Sequence, residues 1–328
     1  MSLLNRLADS WYRPGTVTWL LLPFSGLYCL LVGIRRQLYR VSILRRQHVP
    51  APVIVVGNIT VGGSGKTPLV IWLALHLRSL GYRPGVVTRG YGGRSKSWPR
   101  LVTTDTGPAD VGDEPVLIAR HAGCPVMADP DRVRAARALL AQHQCDLILS
   151  DDGLQHYRLA RDIEIAVIDG ERRFGNGFCL PAGPLREPIS RLKRADLTVT
   201  LGAARPGEYR MDLTETGYRA VEGGALKPLD AFRGQSVHAV AGIGNPGRFF
   251  AHLRKLGVQP IEHPLPDHHE YREADLRFGD NLPVIMTEKD AVKCSSFSGP
   301  LWYLAVESKP DVDFASALSA RLKEVKRG

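Results

Sequence analysis

The segment TVGGSGKTP, residues 60–68, constrains the fold of this 328-residue chain more than any other feature. It follows the apolar run PVIVVGN and opens a long apolar stretch, KTPLVIWLALHLRSLG, with Pro68 in the first turn and Gly81 at the end. Those two residues are typical helix boundaries, so the predicted order is strand, glycine-rich loop, helix. That order is typical of a phosphate-binding loop, the Walker A motif, and it disfavours the alternative of a chance glycine-rich turn.

A loop of this kind binds phosphates through consecutive main-chain N–H groups, a lysine and a hydroxyl. We therefore expect Lys66 to contact the outer phosphates of a nucleotide and to act in catalysis, and Thr67 to bind magnesium. The strict motif requires a glycine where this chain carries Thr60. The predicted nucleotide-binding residues are Thr60, Val61, Gly62, Gly63, Ser64, Gly65, Lys66 and Thr67.

A second motif, DLILSDDG, places Asp151 and Asp152 where an apolar run ends. P-loop enzymes hold magnesium with a carboxylate near the phosphate loop, so both aspartates are catalytic candidates and Asp151 is a predicted magnesium ligand. The alternative is that they only form the turn before Gly153. The chain contains neither N-K-x-D nor T-K-x-D, and the TEKD at 287–290 has a different order, which favours an adenine over a guanine nucleotide.

The remainder of the chain predicts an α/β fold, P-loop NTPase-like, with a mostly parallel sheet. Apolar runs typical of strands alternate with helical stretches such as DRVRAARALLAQH. The predicted strands are PVIVVGN, GVVTRG, PVMAD, DLILSDD, IEIAVID and DLTVTL, then VHAVAGIGN, LPVIMTEKD and LWYLAVES. The stretch 202–231 is rich in glycine, proline and charge, so we place a boundary there. The prediction is an N-terminal segment (1–48), a P-loop domain (49–230) and a second, smaller α/β domain (231–328).

The N-terminal segment contains an uncharged run at 16–34, TVTWLLLPFSGLYCLLVGI, followed by Arg35, Arg36, Arg40, Arg45 and Arg46. This run is borderline for spanning a membrane, which takes about 20 apolar residues. The arginines follow the apolar run, the reverse of a secretory signal peptide. We therefore predict a membrane-associated helix, with the catalytic part on the cytoplasmic side. The alternative is a buried core helix with a solvated basic edge.

Charge and cysteine placement disfavour other classes of protein. The net charge is +10, yet 13 Lys and Arg and no acidic residue lie between Asp9 and Asp105. A nucleic-acid-binding domain would more often spread its cations over one face with aromatic residues interleaved, so we predict no nucleic-acid partner. The five cysteines form no C-x-x-C pair, so we expect reduced thiols. Nothing in the sequence implies an obligate protein partner.

Eight segments in a fixed order resemble the tetraacyldisaccharide 4′-kinase family, the inner-membrane lipid A kinases of Gram-negative bacteria. They are GNITVGGSGKTP (57–68), TRGYGG (88–93), GDEP (112–115), DDGLQH (151–156), GPLREP (183–188), AGIGNPGRFF (241–250), PDHHEY (266–271) and TEKDAVK (287–293). The resemblance implies a phosphotransferase that moves the ATP γ-phosphate, with magnesium, to the 4′-hydroxyl of an acylated glucosamine disaccharide phosphate. It also implies a glycolipid substrate and a location at the bacterial inner membrane.

The same resemblance implies roles for five further residues. Asp113 would accept the proton of the acceptor hydroxyl, and His268 would assist it. Arg132 and Arg186 would contact substrate phosphates, and Glu187 would contribute to the magnesium site. Other interpretations remain open: Asp113 is also typical of a helix N-terminus, the histidines of PDHHEY could be solvated, and either arginine could be a surface charge.

Two further functions share the same phosphate loop. A membrane-associated P-loop ATPase, coupled to transport or to a protein partner, would hydrolyse ATP without forming a phosphorylated lipid. A membrane-anchored regulator would bind nucleotide without any acceptor. The sequence lacks heptads and low-complexity tails, which counts mildly against both.

Overall fold

The computed structural model describes residues 10–224 and 226–327. The strands in these residues are β1 (Val53–Gly57), β2 (Pro84–Thr88), β3 (Arg100–Val102), β4 (Val126–Ala128), β5 (Leu147–Ser150), β6 (Ile163–Asp169), β7 (Leu197–Leu201), β8 (Tyr209–Ala220), β9 (Ser236–Ala241), β10 (Gln259–Pro264), β11 (Val284–Thr287) and β12 (Leu301–Pro310). The helices are α1 (Thr16–Arg40), α2 (Lys66–Ser79), α3 (Pro108–Val111), α4 (Asp113–His121), α5 (Arg132–Gln142), α6 (Pro246–Lys255), α7 (Glu288–Ala291) and α8 (Val312–Arg327). Short 3₁₀ helices cover Ile189–Arg194 and Glu273–Leu276.

The described strands belong to one sheet, ordered β10-β9-β11-β12-β8-β7-β6-β1-β5-β2-β4-β3. Neighbouring strands run parallel except at β3–β4 and β8–β12. The central strands β1, β2 and β5 are buried along their whole length, which is why they read as uninterrupted apolar runs. The predicted mostly parallel α/β sheet is therefore confirmed, and each strand predicted from the sequence is present.

The stretch 202–231, predicted as a boundary, contains the twelve-residue strand β8. This strand pairs with β7 on one side and with β12 on the other, so the sheet continues from the predicted P-loop domain into the second one. Most β8 residues are not fully buried, and their polar character made the stretch look like a linker. The division into two domains stays a prediction.

The first hydrophobic core lies around α2, which buries Leu69, Val70, Leu73 and Leu77 completely. The C-terminal helix α8 joins this core through Phe314, whose ring centroid lies 5.7 Å from that of Trp72. A helix from the end of the chain therefore covers the helix that follows the phosphate loop. The nearly all-round apolar character of α2 follows from this enclosure.

Helix α1 is long and apolar enough to cross a membrane, judged by length and composition. Its apolar side chains face outward: Trp19 is 63% exposed, Leu20 69% and Phe24 62%. One polar face contacts the rest of the chain, where Ser25 Oγ donates to Cys179 O at 2.7 Å and Tyr28 OH to Arg186 O at 3.1 Å. The predicted apolar helix is present, and the alternative of a buried core helix is wrong for this structure.

Candidate active site

The phosphate loop follows β1 directly and ends where α2 begins. Gly62 and Gly65 adopt positive φ angles, 99° and 86°, a conformation that favours glycine. The Asn58 amide donates from Nδ2 to Ser64 Oγ at 3.0 Å and to Thr60 Oγ1 at 3.3 Å. Thr60, which departs from the strict Walker pattern, therefore helps to hold the shape of the loop. The N-terminus of α2 adds a potential that favours a bound phosphate.

The segment GPLREP pairs with the phosphate loop and positions Arg186. Val61 N donates to Pro184 O at 2.8 Å, and Arg186 N donates to Ile59 O at 2.7 Å. Thr60 and Leu185 form an antiparallel bridge. Because the main chain of this segment is fixed to the loop on both sides of Leu185, the guanidinium of Arg186 is held close to the phosphate-binding residues.

Lys66 and Arg186 meet at the carboxylate of Asp152. Lys66 Nζ lies 3.4 Å from Asp152 Oδ1, and Arg186 Nη1 lies 3.0 Å from Oδ2. Burial acts to raise the pKa of Asp152, but these two cations outweigh burial and hold that pKa far below its ordinary value. Asp152 also has a φ of 47°, which is uncommon for a residue other than glycine. We interpret Asp152 as the residue that aims both cations at the phosphate site.

Asp151 is fully buried, and its surroundings suit a bound cation. Thr88 Oγ1 donates to its Oδ2 at 3.4 Å, whereas Oδ1 is buried without a hydrogen-bond partner among the described residues. Burial, reinforced by the nearby charges of Glu114 and Asp152, raises the pKa of Asp151 to about 7. A divalent cation at Oδ1 would offset this and keep the carboxylate ionised. Asp151 therefore fits the predicted magnesium site.

The structure places Arg132 beneath this loop rather than facing an open site. Its Nη2 donates to Asp151 O and its Nη1 to Asp129 O, both at 3.1 Å. Burial lowers the pKa of Arg132 to about 10. A buried guanidinium that bonds two main-chain carbonyls supports the loop that carries Asp151. Arg132 is 2% exposed, so the alternative of a surface charge is wrong for this residue, while its predicted contact with a substrate phosphate stays a prediction.

Glu187 is also buried, in a hydrogen-bond network that reaches the phosphate loop. Gln155 Nε2 donates to its Oε1 at 3.0 Å, Tyr157 OH donates to Oε2, and Arg191 Nε lies 3.6 Å from Oε2. Gln155 Nε2 also donates to Asn58 O at 3.0 Å, which links Glu187 to the start of the loop. In residues 10–224 and 226–327, no group of three or more His, Cys, Asp and Glu side chains suits a metal ion. Thr67 lies in the first turn of α2, and its role at magnesium stays a prediction together with that of Glu187.

Asp113 begins helix α4, and each carboxylate oxygen has its own neighbour. Oδ1 accepts from Glu114 N, the next residue in the helix, at 2.9 Å, and the N-cap position itself is occupied by Gly112. Oδ2 lies 3.2 Å from His268 Nδ1. The helix-terminus interpretation and the pairing with histidine are therefore compatible. Gly112 is required before it, because an added Cβ would lie 2.0 Å from Tyr91 O.

The structure distinguishes the two adjacent histidines. His268 faces Asp113, whereas His269 Nε2 lies 3.1 Å from Asp275 Oδ2. His268 has a φ of 60°, again uncommon outside glycine. Its ring also contacts Tyr91 edge-on, with 5.3 Å between centroids. His268 is thus the histidine that the structure places at the candidate base.

Two lysines that sequence reasoning did not single out also face Asp113. Lys289 Nζ lies 4.0 Å and Lys293 Nζ 3.8 Å from Asp113 Oδ2. Burial acts to raise the pKa of Asp113, but His268 and the two lysines hold it below its ordinary value. The hydrogen bond to Asp113 in turn raises the pKa of His268. The sequence feature that indicates these lysines is the TEKDAVK segment. It places Lys289 and Lys293 four residues apart near the start of a helix, a spacing that puts two side chains on the same side.

The phosphate loop and the Asp113–His268 pair adjoin each other. A Cβ added to Gly244 would lie 3.5 Å from Gly63 N and 3.6 Å from Asp267 Oδ2, so the AGIGNPG loop is next to both. Glu114 is close enough to raise the pKa of Asp151. A phosphate loop with paired cations, beside a carboxylate poised to accept a proton, defines a P-loop phosphotransferase.

Comparison with known proteins agrees with this class. A family model described as tetraacyldisaccharide-1-P 4′-kinase matches residues 17–323, and the chain belongs to that family. It is 51% identical to the tetraacyldisaccharide 4′-kinase of Nitrosococcus oceani, over 96% of this chain and 93% of that protein. It is also 51% identical to the tetraacyldisaccharide 4′-kinase of Alkalilimnicola ehrlichii, over 97% of each.

A solved structure shares the fold. It is described as the "apo" form of LpxK from Aquifex aeolicus in complex with ATP. It superposes with a TM-score of 0.78 at 28% identity, over 93% of this chain and 99% of that one. The resemblance drawn from the eight sequence segments is therefore confirmed. The two alternatives, a transport-coupled ATPase and a nucleotide-binding regulator, find no support in these comparisons.

Proposed function

We propose that this chain transfers the γ-phosphate of ATP to the 4′-hydroxyl of a tetraacylated glucosamine disaccharide 1-phosphate, a step of lipid A biosynthesis. The observation that carries the proposal is the buried Asp113 carboxylate, paired with the partly exposed His268 beside the phosphate loop. A regulator that only binds nucleotide does not require such a proton acceptor, whereas a hydrolase could use the same carboxylate to activate water, so the choice of a kinase over a hydrolase rests on the relatives. The names of the relatives and the ATP of the Aquifex aeolicus complex support the choice of substrate and nucleotide.

In the proposed reaction, the hydroxyl oxygen forms a bond to the γ-phosphorus while the bond from that phosphorus to the bridging oxygen of ADP breaks. The hydroxyl proton passes to Asp113, which is ionised because its pKa is held low. His268 fixes the direction of the carboxylate. Lys66 and Arg186 neutralise charge on the transferred phosphoryl group, and most of the rate enhancement comes from such positioning and neutralisation.

Magnesium is proposed as the second cofactor. Asp151 Oδ1 and the Thr67 hydroxyl would hold it, with Glu187 as a further predicted ligand. When bound, the ion would supply positive charge that offsets the negative charge of the phosphates. The protein's own contribution is the buried carboxylate of Asp151, whose pKa is raised to about 7 by burial and by the nearby charges of Glu114 and Asp152.

Helix α1 is proposed to bind the cytoplasmic face of the bacterial inner membrane. Its exposed side chains include Trp19, Leu20 and Phe24. Soluble proteins rarely expose large apolar side chains next to one another in this way, and such patches mark membrane or protein contacts. The five arginines between 35 and 46 suit anionic headgroups, each adding about 1 kcal/mol near such a surface. A membrane position of α1 would bring the active site to a substrate that is itself a lipid.

The catalytic proposal is tested by incubating purified protein, labelled ATP and the tetraacyl disaccharide 1-phosphate in mixed micelles. We expect a new phosphate monoester on the lipid. In Asp113→Asn, turnover should fall by about 10²- to 10⁴-fold, as for loss of a general base, with little change in ATP affinity. Asp110→Asn is the matched control, because Asp110 pairs with Arg100 at the surface. ATP hydrolysis without a lipid product would reject the proposal.

The membrane proposal has a separate test by flotation with anionic lipid vesicles. The triple variant Trp19→Ser, Phe24→Ser, Leu27→Ser should stay behind while the wild type floats, because the apolar surface is lost. Val312→Ser is the control, since Val312 is an exposed apolar residue outside α1. Equal flotation of the wild type and the triple variant would contradict the role of α1.

A further inference from the structure

The TEKDAVK segment contains a buried ion pair that the reaction outlined above does not use. Asp290 is completely buried. Its Oδ2 accepts from Gly242 N at 3.0 Å and from Thr287 Oγ1 at 2.6 Å. Its Oδ1 lies 3.0 Å from Lys293 Nζ. One oxygen is thus fixed by the residue that follows β9 and by the last residue of β11, and the other oxygen lies next to the ammonium group of Lys293.

Lys293 places its ammonium group between two buried carboxylates. Its Nζ lies 3.0 Å from Asp290 Oδ1 and 3.8 Å from Asp113 Oδ2. The Tyr271 ring lies beneath it, with 5.0 Å from Nζ to the centroid. Only 12% of the Lys293 side chain is exposed. A buried charge of this kind is retained when it is paired, and here both partners are acidic.

We propose that Lys293, held in place by Asp290, is a positioning residue for Asp113: it keeps the Asp113 carboxylate ionised and directed at the acceptor hydroxyl. This inference rests on the proposed function, in which Asp113 accepts the hydroxyl proton. Lys293 itself does not contact the reacting atoms. It acts through the charge that it brings to within 3.8 Å of Asp113 Oδ2.

Other charged groups also face Asp113, and Lys293 differs from them in its partners. His268 pairs with Oδ2, and Glu114 follows Asp113 on the same helix. Lys289 Nζ lies closer to Glu114 (3.4 Å) and to Asp267 (3.3 Å) than to Asp113 (4.0 Å). Its positive charge is therefore shared among three carboxylates. Apart from Asp113, Asp290 is the one carboxylate that lies close to Lys293 Nζ among the described residues. Both lysines lower the pKa of Asp113, and Lys289 lowers it more than Lys293 does, so the proposal gives Lys293 a share of this effect and not the whole of it.

The test is the pH dependence of kcat, measured with the lipid substrate from about pH 3 to pH 9, because the low pKa of Asp113 places the wild-type acid limb below about pH 4. Lys293→Met removes the cation, so the acid limb, where activity falls on protonation of Asp113, should move to higher pH by about 1 to 3 units. The sign follows from the loss of an attractive charge, which raises a carboxyl pKa. KM for ATP should stay unchanged, and Lys293→Arg should restore the wild-type limb.

Two further variants separate positioning from folding. Lys293→Met leaves Asp290 buried and unpaired, so the double variant Asp290→Asn, Lys293→Met removes the pair together and should show the same shift of the acid limb. Lys323→Met, on the exposed face of α8, is the matched control and should keep the wild-type profile. Circular dichroism of each variant at each pH confirms that the folded state is being compared.

The inference is overturned if the acid limb of the pH profile stays in place in both Lys293→Met and the double variant. It is also overturned if these variants lose the same fraction of activity at every pH. The Asp113→Asn enzyme distinguishes this failure from failure of the proposed function. If Asp113→Asn is inactive while the limb of Lys293→Met is unmoved, only the positioning role is rejected. If Asp113→Asn keeps its activity, both are rejected.

Discussion

The two halves of the site are built in different ways. The P-loop half, which comprises residues 57–67 with Asp151, Asp152 and Arg186, follows strand ends of one continuous parallel region of the sheet. The base half comprises Asp113, His268, Lys289 and Lys293, of which the last three lie more than 150 residues from Asp113 in the sequence. The first half depends on main-chain shape, whereas the second depends on side chains that only tertiary packing brings together.

The halves also differ in how complete their charge balance is. In the base half, one carboxylate faces a histidine and two lysines, so its pKa is held low by the protein alone. In the P-loop half, Asp152 is matched by Lys66 and Arg186, but burial and the charges of Glu114 and Asp152 raise the pKa of Asp151 to about 7. We infer that the P-loop half is arranged to bind cations from solution. In the base half, by contrast, the protein's own side chains keep Asp113 ionised before substrate binds.

The largest expected effect is that of Lys66→Met in the P-loop half. This change removes a cation aimed at the transferred phosphoryl group, so turnover should fall by about 100- to 1000-fold or more. Labelled-ATP assays on lipid micelles provide the measurement, and Lys96→Met, at an exposed position, is the control. If Lys66→Met keeps most of the wild-type rate, the glycine-rich loop is not the phosphate site and the comparison between halves fails.

Arg186→Lys should have an intermediate effect. Arg186 donates from Nη1 to both oxygens of Asp152, at 3.0 and 3.2 Å, and a lysine lacks the planar group needed to contact Asp152 and a phosphate together. Loss of one charge-assisted contact corresponds to about a 10- to 100-fold lower kcat. Arg194→Lys, on the surface, is the control. A wild-type kcat in Arg186→Lys would mean that Lys66 alone provides the positive charge of this half.

The P-loop half was largely predictable from the sequence because its residues are contiguous. Glycines, Lys66 and a buried strand on one side are all visible within a dozen positions, and Asp151 and Asp152 end another apolar run. What local pattern could not show is which polar residues are buried: Arg132 and Glu187 resemble surface or site charges in the sequence, but both lie inside hydrogen-bond networks.

The base half was only partly predictable, since its geometry depends on long-range packing. Asp113 and His268 came from resemblance to a family, and no spacing rule joins them. The strands that escaped prediction have the same origin: β8 is polar along much of its length, and β10 is mostly exposed and contains two prolines, which edge strands tolerate. Apolar periodicity identifies buried parallel strands, not these.

The smallest expected effect concerns stability, and it tests whether the base half is prepared without substrate. The pKa of His268 is raised by Asp113, so its stabilising contribution is complete below the unfolded value of about 6.5 and is lost as pH rises through the folded value. The pKa of Asp113 is lowered, so its contribution is present above about 3.9 and is lost on acidification. The pair should therefore stabilise the fold most between about pH 4 and pH 6.5.

His268→Gln measures this contribution through the thermal midpoint at a series of pH values without substrate. The wild type should be more stable than the variant, most of all near pH 6. The difference in the free energy of unfolding should be no more than about 1 kcal/mol, because the histidine is partly exposed to solvent, and it should shrink by pH 8. His48→Gln, at an exposed position, should show no such trend. If the stability difference between wild type and variant instead grows with rising pH, His268 contacts Asp113 in its neutral form. The charged pair would then form only when substrate binds, and the base half would not be prepared in advance.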